Sequence, residues 1–154
     1  MTEQTAPQYD ASVLGVQVEV GESAVDADHI LAYCQAIGET NPLYTDPEFA
    51  AKGPHGAIVA PPAFVLSLST KPGLDPKVVY GNTTFNAGQH CDFRLPLKPG
   101  DVVRVTASVK EIYEKTGRTG SMLFVVREQT YTNQDGQVVA VVDGSTVHRT
   151  VERG

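Results

Sequence analysis

The chain has no tryptophan, only two cysteines in 154 residues, and no apolar run long enough to span a bilayer. Each scarcity removes a class of protein. Cys34 and Cys91 cannot build a disulfide framework, and neither stands at a metal-like spacing from a histidine. Both read as small buried hydrophobes, and no metal or cofactor is expected. Basic residues are few as well: 12 Lys and Arg against 18 Asp and Glu, a formal charge of −6. They are scattered, which argues against a nucleic-acid surface yet leaves room for local contacts to an anionic small ligand. The opening "MTEQTAPQYD" is polar and lacks the apolar core of a signal peptide, so the expected location is the cytoplasm, with no membrane association.

What remains is the composition of one soluble domain, 41% hydrophobic and 19% charged. Residues 1–12 read as a loose leader and 13–154 as a single domain. Val16, Val18 and Val20 alternate with Gln17 and Glu19, which predicts a strand over 13–20. The period then changes. In "VDADHILAYCQAIG", Ile30, Leu31, Cys34 and Ile37 recur at helical spacing, Asp26 is placed to cap the start, and Gly38 to stop the end. Asp46 and Pro47 open a further short helical turn. The stretch "PPAFVLSLST" is apolar on nearly every side, which predicts a buried helix between Pro61 and Thr70, the longest in the chain.

Beyond Tyr80 the pattern is strands and turns: "TTFNAGQHCDFRLPL", a turn at Pro99-Gly100-Asp101, "DVVRVTASVKEIY", the turn "EKTGRTG", "SMLFVVREQTYT", a hairpin signal at Asp135-Gly136, and "VVAVVDGSTVHRT". A buried helix followed by four strands implies an α+β fold, an antiparallel sheet wrapped around the helix. The edges of such a sheet need covering by a second copy or a partner subunit.

Four stretches, "GETNPLYTDPEFA", "IVAPPAF", "NAGQHCDFRLPLKPGD" and "EKTGRTGSMLFVVREQTYTNQDGQVVA", resemble in order and spacing the MaoC-like hydratases and dehydratases of the hotdog fold. The branch they most resemble is that of FAS1-like dehydratase, or MaoC N-terminal-type, domains. The resemblance spans about residues 13–150. It implies a long central helix wrapped by a curved antiparallel sheet, a dimer of such units, and acyl thioesters of coenzyme A or acyl carrier protein hydrated or dehydrated across the 2,3-bond.

Active members of that family carry a Gly-Asp-x-Asn-Pro-x-His pattern whose aspartate and histidine handle the water and the proton. Here the glycine is Gly38, the asparagine Asn41 and the proline Pro42, but Glu39 stands at the aspartate position and Tyr44 at the histidine position. A glutamate displaces the carboxylate by about an ångström, and misplacement on that scale can cost on the order of 10²-fold in rate. A phenol, whose ordinary pKa is about 10, does not readily cycle its proton at neutral pH. The family's histidine-glycine pair at the start of the central helix, where the glycine N–H polarises the thioester carbonyl, falls here on Ala60 and Pro61, and a proline has no N–H to give.

Other candidate site residues are weaker individually. Gln89 and His90 lie on a strand resembling the one that lines the family's acyl pocket, and alternation allows only one of them to face inward. His90 and Asp92 share a face and could form a carboxylate-supported base. His55 stands between Gly53 and Gly56 near the expected pocket mouth, while His29 and His148 read as surface residues. Arg94, Lys98, Lys115 and the glycine-flanked Arg118 are possible contacts for coenzyme A phosphates. Phe64 and Leu68 read as core, and as acyl-pocket lining if the pocket runs beside the central helix.

The expected function is therefore a subunit of an enoyl-thioester hydratase or dehydratase that lacks its own dyad and supports a homologous catalytic hotdog subunit. The alternatives are a self-sufficient homodimer that uses Glu39, with His90 or Tyr44, and a non-catalytic acyl-thioester binder. A hotdog thioesterase fits the motifs less well.

Overall fold

A computed structural model describes residues 6–151. The elements run β1 (Val18–Ala24), α1 (Ala27–Ile37), α2 (Pro42–Thr45), α3 (Pro47–Ala51), a 3-10 segment (Pro62–Ser67), β2 (Thr83–Phe93), β3 (Val102–Gly117), β4 (Gly120–Thr132) and β5 (Val138–Arg149). The strands form one antiparallel sheet in the order β1-β3-β4-β5-β2, with the helices packed on one face. This is the α+β hotdog arrangement that the sequence implied. No helix among the described residues is long and apolar enough to cross a membrane.

Local chemistry sets most boundaries. Asp26 accepts a hydrogen bond from the backbone N–H of His29 at 2.7 Å and starts α1, and Gly38 ends it in the left-handed region at φ 72°. Asp46 takes the N–H groups of Glu48 and Phe49 at the start of α3. The β3–β4 turn pairs Gly117 with Gly120, leaving Arg118 and Thr119 at its tip.

Two expectations need correction. The strand expected over 13–20 forms at Val18–Ala24, because Ala11–Val13 is a 3-10 turn capped by Asp10, and Gly15, at φ 72°, breaks the extended run. The helix expected within Pro61–Thr70 is a six-residue 3-10 segment, and the longest helix is α1, with 11 residues. Serine chemistry explains the shortening. The Ser67 hydroxyl donates to the Phe64 carbonyl at 2.7 Å, in competition with helix propagation, and Leu68 is already extended. Lys71 precedes Pro72, which further disfavours helical backbone there. Phe64, Val65 and Leu68 are buried as expected, but Leu66 is exposed.

The core lies between this layer and the sheet. Ile30 and Cys34 of α1 and Phe64 and Val65 of the 3-10 segment meet Val103, Val105, Tyr131, Ala140 and Val142. Phe64 is 0% exposed, with the rings of His29 and Tyr33 edge-on at 4.9 and 5.5 Å.

Register divides the covered face of the sheet into rows. One row runs Val105, Tyr131, Ala140, Phe93; the next runs Ala107, Gln129, Val142, Cys91; the third runs Val109, Arg127, Gly144, Gln89. The face turns polar from row to row. On the opposite face Lys110 sits between Glu128 and Asp143, at 3.0 and 2.7 Å. At the amino-terminal side, Gln8 bridges to Val79, and the Asp10 N–H donates to the Pro76 carbonyl at 2.7 Å.

Candidate active-site cleft

The loop from Gly38 to Tyr44 is a chain of self-capped turns. The carboxylate of Glu39 accepts the backbone N–H groups of Thr40 and Asn41 through one oxygen, both at 2.8 Å. Asn41 caps α2 by accepting the Leu43 N–H at 3.0 Å. Both polar side chains at the motif's Glu and Asn positions are thus engaged by their own backbone. Tyr44, half-buried, packs against the core, and its carbonyl receives the Cys34 thiol at 3.8 Å. Burial raises the Cys34 pKa, with the neighbouring Glu39 charge adding to it, so the thiol stays protonated.

Beside this loop opens a cleft of about 290 Å³. Leu43, Tyr44 and His55 form one wall, Val59–Pro62 with Val65 another, and the segment Phe93–Leu97 with Val139 closes it. The lining is mainly apolar, with Tyr44, His55 and Arg94 as its functional side chains. The Ala60 N–H is already given to the Leu97 carbonyl at 2.8 Å, and Pro61 and Pro62 have none. At these three positions the cleft therefore has no N–H to offer a carbonyl oxygen.

The remaining sequence candidates scatter. His55 is exposed and lines the cleft, its carbonyl accepting from the Lys98 ammonium at 3.2 Å. Phe64 lies in the core and lines neither this cleft nor the second cavity described next. His90 and Asp92 share the outer face of β2, where Asp92 pairs with Arg94 at 2.8 Å rather than with the imidazole. Gln89 faces inward and lines a second, larger cavity of about 570 Å³ on the covered face of the sheet. Arg118 is exposed at the β3–β4 tip, away from both cavities, and Lys115 lies over the rings of Tyr113 and Phe124 at 5.4 Å.

His148, expected at the surface, is half-buried and bonded through Nδ1 to the Thr84 hydroxyl at 3.2 Å. Burial lowers its pKa, and the Arg127 charge lowers it further. Neither Arg127 nor Gln129 stood out in the sequence. The signal was available in the alternation of β4, which puts both on the face that carries Tyr131. Among the described residues no cluster of His, Cys, Asp and Glu could hold a metal.

The family model for the FAS1-like, dehydratase domain region matches residues 12–142. The chain belongs to this family of MaoC-like hydratases and dehydratases. A UPF0336 protein of Parafrankia sp. is 33% identical over 139 residues, covering 81% of this chain and 83% of that one. A protein of Thermomonospora curvata named "Probable enoyl-CoA hydratase alpha subunit" is 28% identical over 138 residues; the match covers 78% of this chain and 43% of that larger protein. In fold, the chain is similar to the MaoC-like dehydratase of Rhodospirillum rubrum, with TM-score 0.69, 20% identity, and coverage of 91% and 94%. It is equally similar to the ChsH1-ChsH2 complex of Mycobacterium tuberculosis, with TM-score 0.69, 19% identity, and coverage of 99% and 87%. At 19% and 20% identity these two likenesses are of fold alone.

Proposed function

We propose that this family member is the supporting subunit of a two-chain enoyl-thioester hydratase or dehydratase, with the water-activating Asp/His pair supplied by a homologous hotdog partner. The observation that carries the reading is the placement of Glu39. A general base must reach the water or substrate, and Glu39 is not among the residues lining the cleft; one of its carboxylate oxygens instead holds two backbone N–H groups of its own exposed loop. Tyr44 in the histidine place, and two prolines where a carbonyl-polarising N–H is expected, point the same way. The cleft itself is retained, with an apolar lining suited to part of an acyl chain.

Partnership has its own support. β2 is an edge strand of 11 residues, exposed along nearly its whole length, with Phe85 and Phe93 each more than two-fifths exposed. Such an edge accepts another strand or aggregates. The fold's likeness to a two-component complex, ChsH1-ChsH2, is consistent with a hetero-oligomer. The substrate class proposed, an acyl-coenzyme A or acyl-carrier thioester, is supported by the family and by the relative named "Probable enoyl-CoA hydratase alpha subunit".

The test is hydration of a short enoyl-coenzyme A, followed as loss of enoyl absorbance. It is run with this protein alone and then with a co-expressed family subunit that has the intact Gly-Asp-x-Asn-Pro-x-His motif. Turnover is expected only in the mixture. Robust turnover by this protein alone would overturn the reading.

A further inference from the structure

The second cavity lies where the covered face of the sheet stops being apolar. Its floor is the third row of the register, Val109, Arg127, Gly144 and Gln89, with Gln129 and Val142 from the row before. Its roof is the segment Thr70–Asp75. That roof is held tightly over β1 and β3: the Lys71 N–H donates to the Val20 carbonyl at 2.7 Å, and a Cβ at Gly73 would sit 3.3 Å from that of Ala107. Above β5 the space is open. A Cβ at Gly144 would meet nothing within 4 Å.

Arg127, Gln129 and Asn86 bring donors to this space. Arg127 makes no ion pair among the described residues, and the acidic pair Glu128 and Asp143 is on the other face with Lys110. The Gln129 oxygen accepts the Tyr131 hydroxyl at 3.1 Å, which leaves its amide nitrogen to the cavity. The Asn86 oxygen accepts the Gly88 N–H at 2.7 Å, which does the same. Charged side chains of the lining are Arg127, Lys71 and Asp75, a balance of 2 − 1 = +1. Asp75 already takes the Lys77 N–H at 2.9 Å. A guanidinium and two amide nitrogens with donors to spare thus line one cavity beside the apolar side chains of Val109 and Val142.

We propose that this cavity binds a carboxylate, gripped by the Arg127 guanidinium and the amide nitrogens of Gln129 and Asn86, with the rest of the ligand against Val109 and Val142. A net charge of +1 suits a monoanion, and the planar fork of arginine suits a carboxylate's two oxygens. The carboxylate comes either as a free aliphatic acid or as the far end of an acyl chain. The site stands apart from the hydratase reading, because binding to the isolated chain needs no turnover and no partner.

Calorimetric titration of the protein with octanoate and with octan-1-ol tests the free source. Titration with the coenzyme A thioesters of octanedioic and octanoic acids tests the acyl-borne one. In at least one pair the carboxylate-bearing ligand is expected to bind about tenfold tighter than its neutral counterpart, the scale of a charged hydrogen bond. Arg127→Gln is expected to erase that preference and to leave binding of the neutral member unchanged. Gly144→Leu, an extended position with open space above it, is expected to abolish binding of the preferred ligand without lowering the unfolding midpoint. It carries the test if Arg127→Gln fails to fold. A preference confined to the octanoate pair assigns the site to a free acid, and one confined to the thioesters assigns it to the substrate's tail. No preference in either pair, or a preference that survives Arg127→Gln, or survives Gly144→Leu where Arg127→Gln does not fold, overturns the proposal.

Discussion

Replacing Glu39 by glutamine separates two roles by their size. In the structure the carboxylate holds two N–H groups at 2.8 Å, and both bonds are at the exposed surface of the loop. A glutamine oxygen can accept the same two bonds, so the loop keeps its shape and loses only charge assistance, about 0.5–1 kcal/mol in all. For a domain of this size that lowers the melting temperature by roughly 2 °C. With the catalytic partner present, the rate of enoyl-coenzyme A hydration should change less than about threefold. Were Glu39 the general base, the same substitution would remove the group that takes the proton, at a cost of about 10²–10⁴ in rate. The gap between the outcomes is at least thirtyfold, well beyond assay scatter. Glu39→Ala sharpens the comparison: it releases both N–H groups to water, costs about 1 kcal/mol, and should still spare most of the rate. A loss of a hundredfold or more in Glu39→Gln, with melting unchanged, would refute the structural role.

Phe64→Ala should empty a site that is 0% exposed and ringed by His29 and Tyr33, destabilising the chain by about 3–5 kcal/mol and lowering the melting temperature by roughly 10 °C in scanning calorimetry. Phe85→Lys should place a charge on the exposed edge strand, so that sedimentation equilibrium shifts the protein from dimer or larger species towards monomer. His148 should make stability depend on pH in one direction. Its folded pKa lies below the ordinary value near 6.5, so its contribution is complete above that value and is lost as pH falls through the folded pKa. Urea midpoints at pH 7.5 and pH 5 should therefore differ more for the native chain than for His148→Gln.

The fold was legible wherever a boundary depends on one side chain. Asp26, Gly38, Asp46 and the Asp135-Gly136 turn do their work within a few residues, and the alternation along β3 reports one buried face directly. The segment after Pro61 was not legible, because burial and helicity are separate properties. Phe64, Val65 and Leu68 are buried by the sheet opposite them, while Ser67 and Pro72 decide the backbone. The site divides the same way. Glu39, Tyr44 and Pro61 can be placed by the motif, but the use of the Glu39 carboxylate by its own loop is a matter of geometry. The row through Arg127 is assembled from four strands, three of them with bulges, and no local pattern reveals it.

The strand order also dictates how the chain must assemble. β3, β4 and β5 follow one another as hairpins and can zip together locally, whereas β2 precedes them in the chain yet lies beyond β5. Its pairing with β5 cannot begin until the last hairpin exists, and it closes a long loop to do so. As an edge strand paired on one side only, β2 can detach while β3, β4 and β5 stay paired, and its amides should exchange with solvent before those of the central β4. Each opening bares a second edge, on β5, shaped to receive a β2 strand from any copy of the chain or from a homologue. An encounter during that interval can exchange strands instead of merely adding them, so the timing of synthesis of two such subunits bears on which pairs form.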